Sequence, residues 1–392
     1  MLTVENQPVI STATRLGEVK EYYFSIKLKE IASMNLAGKK VINLGIGSPD
    51  LPPPKAVIDT LNKESQLPNV HGYQSYVGIP ELRQAFAEWY ATYFDVTLDA
   101  NTEILPLIGS KEGIMHISMT YLETGDEVLI PNPGYPTYSA VANLTGAAIR
   151  YYQLTEKNNW LPDLDSLAKE DLRKVKIMWV NYPHMPTGTQ ANKAFFRDLI
   201  DFAKAHKILI CNDNPYSFIL NDNPLSILSV EGAKEVALEL NSLSKAHNMA
   251  GWRVGMLGGG SHYLQNIIRF KSNMDSGMFR PMQLAAVKAL SLDQSWYQQL
   301  NTIYKKRQQK AFELMDLLEC KYDIQQKGLF VWAKIPSKYH NAYELSDKVL
   351  HDSHVFITPG SIFGSQGDKY IRASLCSKVE AFEEAVERIN LL

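Results

Sequence analysis

Ser242-Leu243-Ser244-Lys245, followed by Gly251-Trp252-Arg253-Val254-Gly255, is the stretch of this chain best equipped for chemistry. One amine follows two hydroxyls and precedes, eight positions later, a guanidinium set among glycines. A lysine in such company can form a Schiff base while hydroxyls and arginine neutralise a dianionic phosphate by charge-assisted hydrogen bonds. Pyridoxal 5'-phosphate needs that combination. The plain alternative is a surface lysine in a turn beside an unrelated arginine.

Other polar groups follow short apolar runs. Gly109-Ser110-Lys111 comes after Ile104–Ile108 and opens a helical pattern, and free N–H groups at a helix start beside a glycine make an anion site. Many loops read the same way. Asp213 and Tyr216 follow Ile208–Cys211. An aspartate there can pair with a pyridinium nitrogen and keep the ring electron-poor, while the tyrosine donates to its phenolate oxygen. A turn aspartate beside a half-buried tyrosine is the other reading. Tyr135, in Pro133-Gly134-Tyr135-Pro136, can stack on a planar ring or stand on a surface turn. Arg372 has the planar fork that clamps a carboxylate, or it serves a surface ion pair.

The elements that must position these groups are strands alternating with helices. Short apolar runs, several of them continuous, recur at Ile104–Ile108, Val128–Ile130, Ala147–Leu154, Ile177–Val180, Ile208–Cys211, Val236–Leu240 and Val254–Leu257. Runs without alternation belong to strands buried on both faces. Helical patterns such as Glu112–Leu122 and Lys193–Lys204 lie between them, so the fold class is α/β, a mostly parallel sheet wrapped by helices. Such sheets carry sites beyond the carboxyl ends of their strands. Residues 15–38 read as a helix, and Pro80-Glu81-Leu82-Arg83 opens another. After about residue 285 one long helical stretch runs through Leu318, followed by short strands and a closing helix, Val379–Ile389. The division expected is an N-terminal arm (1–40), a large cofactor domain (41–285) and a smaller α+β domain (286–392).

With 392 residues the chain exceeds the size at which one core stops growing. Forty basic against 42 acidic residues, without charge blocks, point to neither nucleic acid nor a membrane surface. Cys211, Cys320 and Cys376 are scattered, which argues against a zinc site or a disulfide framework. No metal is expected. The opening MLTVENQPVI lacks a basic or long apolar segment, so the expected location is cytoplasmic.

Taken in order, Tyr73 with Gly78 and Leu82-Arg83, Gly109-Ser110-Lys111, Pro133-Gly134-Tyr135-Pro136, Pro186-Thr187-Gly188, Asp213 with Tyr216, Ser242-Leu243-Ser244-Lys245 and Arg253 resemble the class I/II aminotransferases of fold type I. The resemblance extends from Leu44-Gly45-Ile46-Gly47 to Arg372, and its wording is most similar to the LL-diaminopimelate and alanine aminotransferase branch, many of whose members carry the aspartate name. It implies transfer of an amino group from an L-amino acid to a 2-oxo acid by a ping-pong scheme. By the same resemblance, Lys245 links the cofactor and moves the proton, Asp213 pairs with the ring nitrogen, Tyr216 bonds its oxygen and Tyr135 stacks. Gly109, Ser110, Lys111, Ser242, Ser244 and Arg253 hold the phosphate; Arg372 and the Gly47 backbone take the substrate carboxylate. Tyr73 and Asn273–Gly277 then reach a partner's site in a homodimer. One position departs: the family has asparagine before Pro-Thr-Gly, donating to the ring oxygen, and here it is Met185. A thioether cannot donate. Altered protonation of the bound cofactor is expected, with Asn181 or Asn214 as possible compensators. For the substrate side chain, Arg15, Lys111 or Arg280 can supply a second clamp, and Tyr22, Tyr23 and Phe24 an apolar pocket. A β-lyase and a non-catalytic binder of the same cofactor are the alternatives; a nucleotide-binding protein is excluded because neither glycine loop has the required spacing.

Overall fold

Seven strands form the central sheet of this computed structural model, which describes residues 10–17 and 23–391. A two-residue strand, β1 (Ile42–Asn43), comes first in the chain. The sheet itself comprises β2 (Ile104–Leu107), β3 (Glu127–Asn132), β4 (Ala148–Gln153), β5 (Val175–Val180), β6 (Leu209–Asp213), β7 (Ala237–Ser242) and β8 (Gly255–Gly259). Their order is β2-β8-β7-β6-β5-β3-β4, and β8 alone runs against the others. Strand β5 shows why its sequence does not alternate: Ile177 and Trp179 pack in one core layer, Met178 and Val180 in the other. The expected buried run Ala147–Leu154 becomes β4 at the sheet edge, where its side chains are mostly exposed.

Helices α1 (Tyr23–Leu36), α2 (Lys55–Glu64) and α3 (Pro80–Phe94) precede the sheet. Interleaved with its strands are α4 (Ser110–Tyr121), α5 (Pro136–Thr145), the single turn α6 (Leu164–Leu167) and α7 (Lys193–His206). Then come α8 (Ser261–Lys271), α9 (Arg280–Leu290) and α10 (Gln294–Leu317). The single long helix expected from 285 to 318 is therefore two. Asp293 breaks it, its carboxylate accepting from Ser295 N at 2.9 Å as a new N-cap. Residues 18–22 of the expected 15–38 helix, including Tyr22, lie outside the described residues; Thr14–Leu16 is a separate short turn.

A second sheet, antiparallel, orders β12 (Thr358–Pro359), β13 (Tyr370–Ser374), β10 (Phe330–Lys334) and β9 (Lys321–Tyr322). Helix α11 (Ala342–Ser353) packs beside it, and α12 (Val379–Asn390) packs on α10 and α11. Strand β11 (Val355–Phe356) pairs with β1, tying the chain's first strand to its last quarter. Helix α1 rests on α11: Lys27 Nζ lies 3.0 Å from Asp347, and the Tyr23 and Tyr343 rings are 6.0 Å apart. Among the described residues no helix is long and apolar enough to cross a membrane.

Candidate active site

Strand ends meet where the parallel strands stop. Strand β2 stops at Leu107, and Gly109 stands at the N-cap of α4 with φ +80°. A Cβ there would sit 2.0 Å from Arg253 Nη2, so glycine is required by backbone and by space alike. Gly109 makes no side-chain cap for α4, and Ser110 and Lys111 of its first turn line the same cavity as Ser242 and Ser244. Ser242 Oγ and Ser244 Oγ are 2.8 Å apart, and Arg253 Nη1 reaches Ser244 Oγ at 3.4 Å. Helix N-terminus, two hydroxyls and guanidinium thus form one anion cradle. Gly109→Ala should push Arg253 aside and weaken pyridoxal phosphate binding by about 10- to 100-fold, the cost of one or two such bonds. Equilibrium titration of the cofactor-free protein reads this; unchanged affinity would mean that Arg253 does not serve the cradle.

Asp213 closes β6 and is 6% exposed. Its Oδ2 accepts from Tyr138 Oη at 3.0 Å, whereas the buried Oδ1 has no hydrogen-bond partner among the described residues. Burial pushes its carboxyl up to about 6, against the pull of Tyr138 and of the Lys245 ammonium. Lys245 Nζ donates to Gly47 O at 2.7 Å and stands 6.0 Å from the Tyr216 ring centroid. Burial lowers the pKa of this amine, and the positive charges of Arg372 and Arg253 act in the same direction. Tyr216 and Tyr135 are held well in their neutral form by burial.

Arg372 lies on β13 and is 4% exposed. Its Nη2 donates to Gly45 O at 2.8 Å and its Nη1 to Met185 Sδ at 3.3 Å. The guanidinium carbon sits 3.9 Å from the Phe330 ring centroid and 4.6 Å from that of Phe363. Gly47 must be small, because a Cβ would meet the Phe330 ring at 2.4 Å. The loop it belongs to is anchored through Asp50, which takes both terminal nitrogens of buried Arg307 at 2.7 and 2.9 Å.

One cavity of about 990 Å³ collects these groups: Gly47, Ser110, Lys111, Tyr135, Asp213, Tyr216, Ser242, Ser244, Lys245, Arg253 and Arg372 all line it. Tyr73 does not. It is 94% exposed, near Tyr76, Val77 and Phe279, which are exposed as well. Gly277 packs against this same loop, where a Cβ would meet Ser75 O at 2.6 Å. Of the three second-clamp candidates only Lys111 reaches the cavity; Arg280 pairs with Glu81 at 3.1 Å and Arg15 lies on an exposed turn. Phe24 lines the cavity with Leu28 of α1, whereas Tyr23 does not.

Each proposed compensator for Met185 has one amide hydrogen bond engaged within the protein, and Asn181 also lines the cavity. The Asn181 side-chain N–H bonds Asp213 O, while its Oδ1 accepts from Met185 N at 2.8 Å. Asn214 Nδ2 donates to Leu225 O at 3.1 Å, and its oxygen accepts from Ser217. Sequence reasoning also missed Tyr138, although its place three residues after Tyr135 at the head of α5 puts both rings near the same strand end. Behind α4, Glu112, His116 and Asp275 hold ligand-type atoms within 4.8 Å of one another, with the Lys271 ammonium 2.8 Å from Asp275.

The residues fit pyridoxal 5'-phosphate: an anion cradle that a Cβ at 109 would fill, a buried carboxylate oxygen with no partner among the described residues, and a buried lysine amine whose pKa burial lowers. The family model for aminotransferase class I and II matches residues 39–389. A curated LL-diaminopimelate aminotransferase of Dehalococcoides mccartyi (strain ATCC BAA-2266 / KCTC 15142 / 195) is 40% identical over 377 residues, 96% of this chain and 97% of that protein. Substrate-bound BacF from Bacillus subtilis superposes with a TM-score of 0.92 at 36% identity, covering 97% and 98% of the two chains. A single mutant of Thermus thermophilus aspartate aminotransferase shares the fold, with a TM-score of 0.90 at 21% identity over 98% of this chain and all of that one.

Proposed function

The chain belongs to the class I and II aminotransferases, pyridoxal-phosphate enzymes that move amino groups, and from that premise we propose the following division of labour among its residues. The bound cofactor supplies an electron-poor ring that accepts the electron pair released at the substrate Cα and carries the amino group from donor to acceptor. Lys245, whose amine has its pKa lowered by burial, would hold the cofactor covalently. Its Nζ would take the proton from the substrate Cα and hold it for return during the transfer. Asp213 Oδ1 accepts from the protonated ring nitrogen, while Tyr138 fixes the other carboxylate oxygen. Tyr216 donates to the ring oxygen and Tyr135 stacks on the ring face. Ser110, Lys111, Ser242, Ser244, Arg253 and the N–H groups after Gly109 hold the phosphate. Arg372 takes the substrate α-carboxylate beside the Gly47 backbone.

Asp213 Oδ1, buried without a hydrogen-bond partner among the described residues in a cavity that Lys245 also lines, is the observation that carries this assignment. The working unit is a homodimer, in which Tyr73 serves the neighbouring subunit's phosphate; its 94% exposure, among other exposed apolar side chains, supports this. Residues 41–285 form the cofactor lobe and 286–392 the smaller lobe, with the N-terminal arm on the latter. The three cysteines are free and buried, which supports a reducing, cytoplasmic setting. Donors are of the aspartate, alanine or LL-diaminopimelate kind, and the 40% identity to a protein of the last name favours that one.

Mixing the holoenzyme with single amino acids tests the reading. Aspartate, alanine or LL-diaminopimelate should bleach the cofactor's visible band and leave pyridoxamine phosphate, restored by a 2-oxo acid. Pyruvate released with ammonia would instead make the reaction a β-elimination. No spectral change with any amino acid would refute both.

A further inference from the structure

A second carboxylate is buried one strand away from Asp213. Glu239 lies on β7, opposite Asn212 of β6 in register, and is 0% exposed. Its Oε2 accepts from Asn212 Nδ2 at 2.8 Å and from Ile227 N at 3.1 Å, and its Oε1 accepts from Tyr90 Oη of α3 at 2.9 Å. Two of these donors are themselves fixed. Asn212 Oδ1 takes the Tyr182 N–H at 3.3 Å, which leaves its amide nitrogen for Glu239. Asn241 Nδ2 donates to Tyr90 Oη at 3.4 Å, which leaves the Tyr90 hydrogen for Glu239.

Donors therefore surround this carboxyl, the environment of a carboxylate and not of a carboxylic acid. Burial pushes its pKa up, against the hydrogen bonds of Ser226, Asn212, the Ile227 N–H and Tyr90. Those partners are all neutral, so they hold the charge without cancelling it. Little solvent screens a charge at that depth, and it acts beyond its own contacts. Asp213 follows Asn212 and pairs with Leu240, so the two carboxylates stand at successive positions of neighbouring strands. The Glu239 charge raises the proton affinity of Asp213, which Tyr138, Lys245, Tyr135 and Tyr216 also face.

We propose that Glu239 is a positioning residue for the cofactor: its buried charge, tied to the residue before Asp213, strengthens the hold of Asp213 on the protonated ring nitrogen. The proposal rests on the aminotransferase assignment of Asp213, and its test separates the two.

Wild type, Glu239→Gln, Tyr90→Phe, Asp213→Asn and the double variant of Glu239→Gln with Asp213→Asn are compared. Cofactor-free proteins isotopically labelled at the aspartate Cγ report the Asp213 carboxyl by NMR, its signal assigned by its loss in Asp213→Asn. Glutamine keeps the volume of glutamate, and its oxygen still accepts from Asn212 and Ile227 N. In Glu239→Gln the Asp213 signal should titrate at lower pH than in the wild type, since the like charge is gone. Tyr90→Phe loosens the same contacts but keeps the charge, so its Asp213 should titrate with the wild type. In the holoenzymes kcat should fall about three- to ten-fold in Glu239→Gln, and the double variant should be no slower than Asp213→Asn.

Coincident Asp213 titrations in wild type and Glu239→Gln overturn the proposal. So does a Tyr90→Phe titration displaced as far as that of Glu239→Gln, which would assign the effect to packing. Losses in kcat that simply add in the double variant overturn it as well, because Glu239 would then act elsewhere than through Asp213. Labelling the glutamate Cδ gives an answer even if Glu239→Gln does not fold. The wild-type Glu239 signal, recognised by its shift in Tyr90→Phe, should be that of a carboxylate throughout the Asp213 titration; a protonated Glu239 there overturns the proposal. If the Asp213 titration moves as expected while no amino acid is converted by any of the proteins, the coupling stands and the aminotransferase reading fails instead.

Discussion

Lys245→Ala should lower transamination by about 10⁴-fold, the upper range for losing a positioned acid-base group. The amine does two things in the proposed assignment. It is the nucleophile, its pKa lowered by burial and by the adjacent Arg372 and Arg253 charges. It is also the proposed proton carrier, and it donates to Gly47 O and stands 6.0 Å from the Tyr216 ring centroid. Lys111, Arg253 and Arg372, which also line the cavity, are assigned to its two anion-binding ends. The variant should still bind pyridoxal phosphate, because the phosphate cradle and Asp213 are untouched, but without the visible band of a covalent link. Borohydride trapping in the wild type should leave the cofactor's mass on the Lys245 peptide. Trapped mass on another lysine, or turnover within ten-fold of wild type in the variant (about 1.4 kcal/mol of barrier), would remove Lys245 from its role.

Asp213→Asn should cost about 10²- to 10³-fold in kcat, the usual loss for one preorganised electrostatic group. The amide keeps the shape and the Tyr138 contact but cannot hold a proton on the ring nitrogen, so the ring draws electrons less strongly. A pH signature accompanies it. Without cofactor, burial raises the Asp213 carboxyl from 3.8 to about 6, so the folded protein binds a proton there more readily than the unfolded chain. That contribution to stability is fully present below about pH 4 and is lost as pH rises through about 6. Cofactor binding needs the carboxylate, so pyridoxal phosphate affinity should climb with pH up to about 6 and then level off. In Asp213→Asn this climb should be absent. An identical pH profile in the two proteins would assign the titration to another group.

Much of the large sheet could be read from the chain because its determinants are local. Ile177–Val180 is apolar throughout since both faces of β5 are buried, and Pro80 starts α3 because its ring suits a first helical turn. Other features depended on partners distant in sequence. Ile42 and Asn43 pair with β11, more than 300 residues later. The break at Asp293 was available as an N-cap signal and was overridden by the helical pattern on both sides. The edge position of β4 had no local signature at all.

The division is similar within the site. Spacing alone linked Lys245 to Ser242, Ser244 and Arg253, because a strand end, a short turn and the next strand keep them together whatever the rest of the chain does. The same held for Asp213 with Tyr216, both at the end of β6. Only the folded chain decided that Tyr138 holds the back of Asp213, that Phe330 and Phe363 flank Arg372, and that Asn181 lines the cavity whereas Asn214 bonds Leu225 O. Met185 shows the limit most sharply. Its sequence announced a missing donor, but not that its sulfur would meet a guanidinium 187 positions away. Backbone geometry and hydrophobic period act over a few residues and are written locally, whereas side-chain contacts across the cavity exist only after loop closure and packing have brought separate strands to one edge.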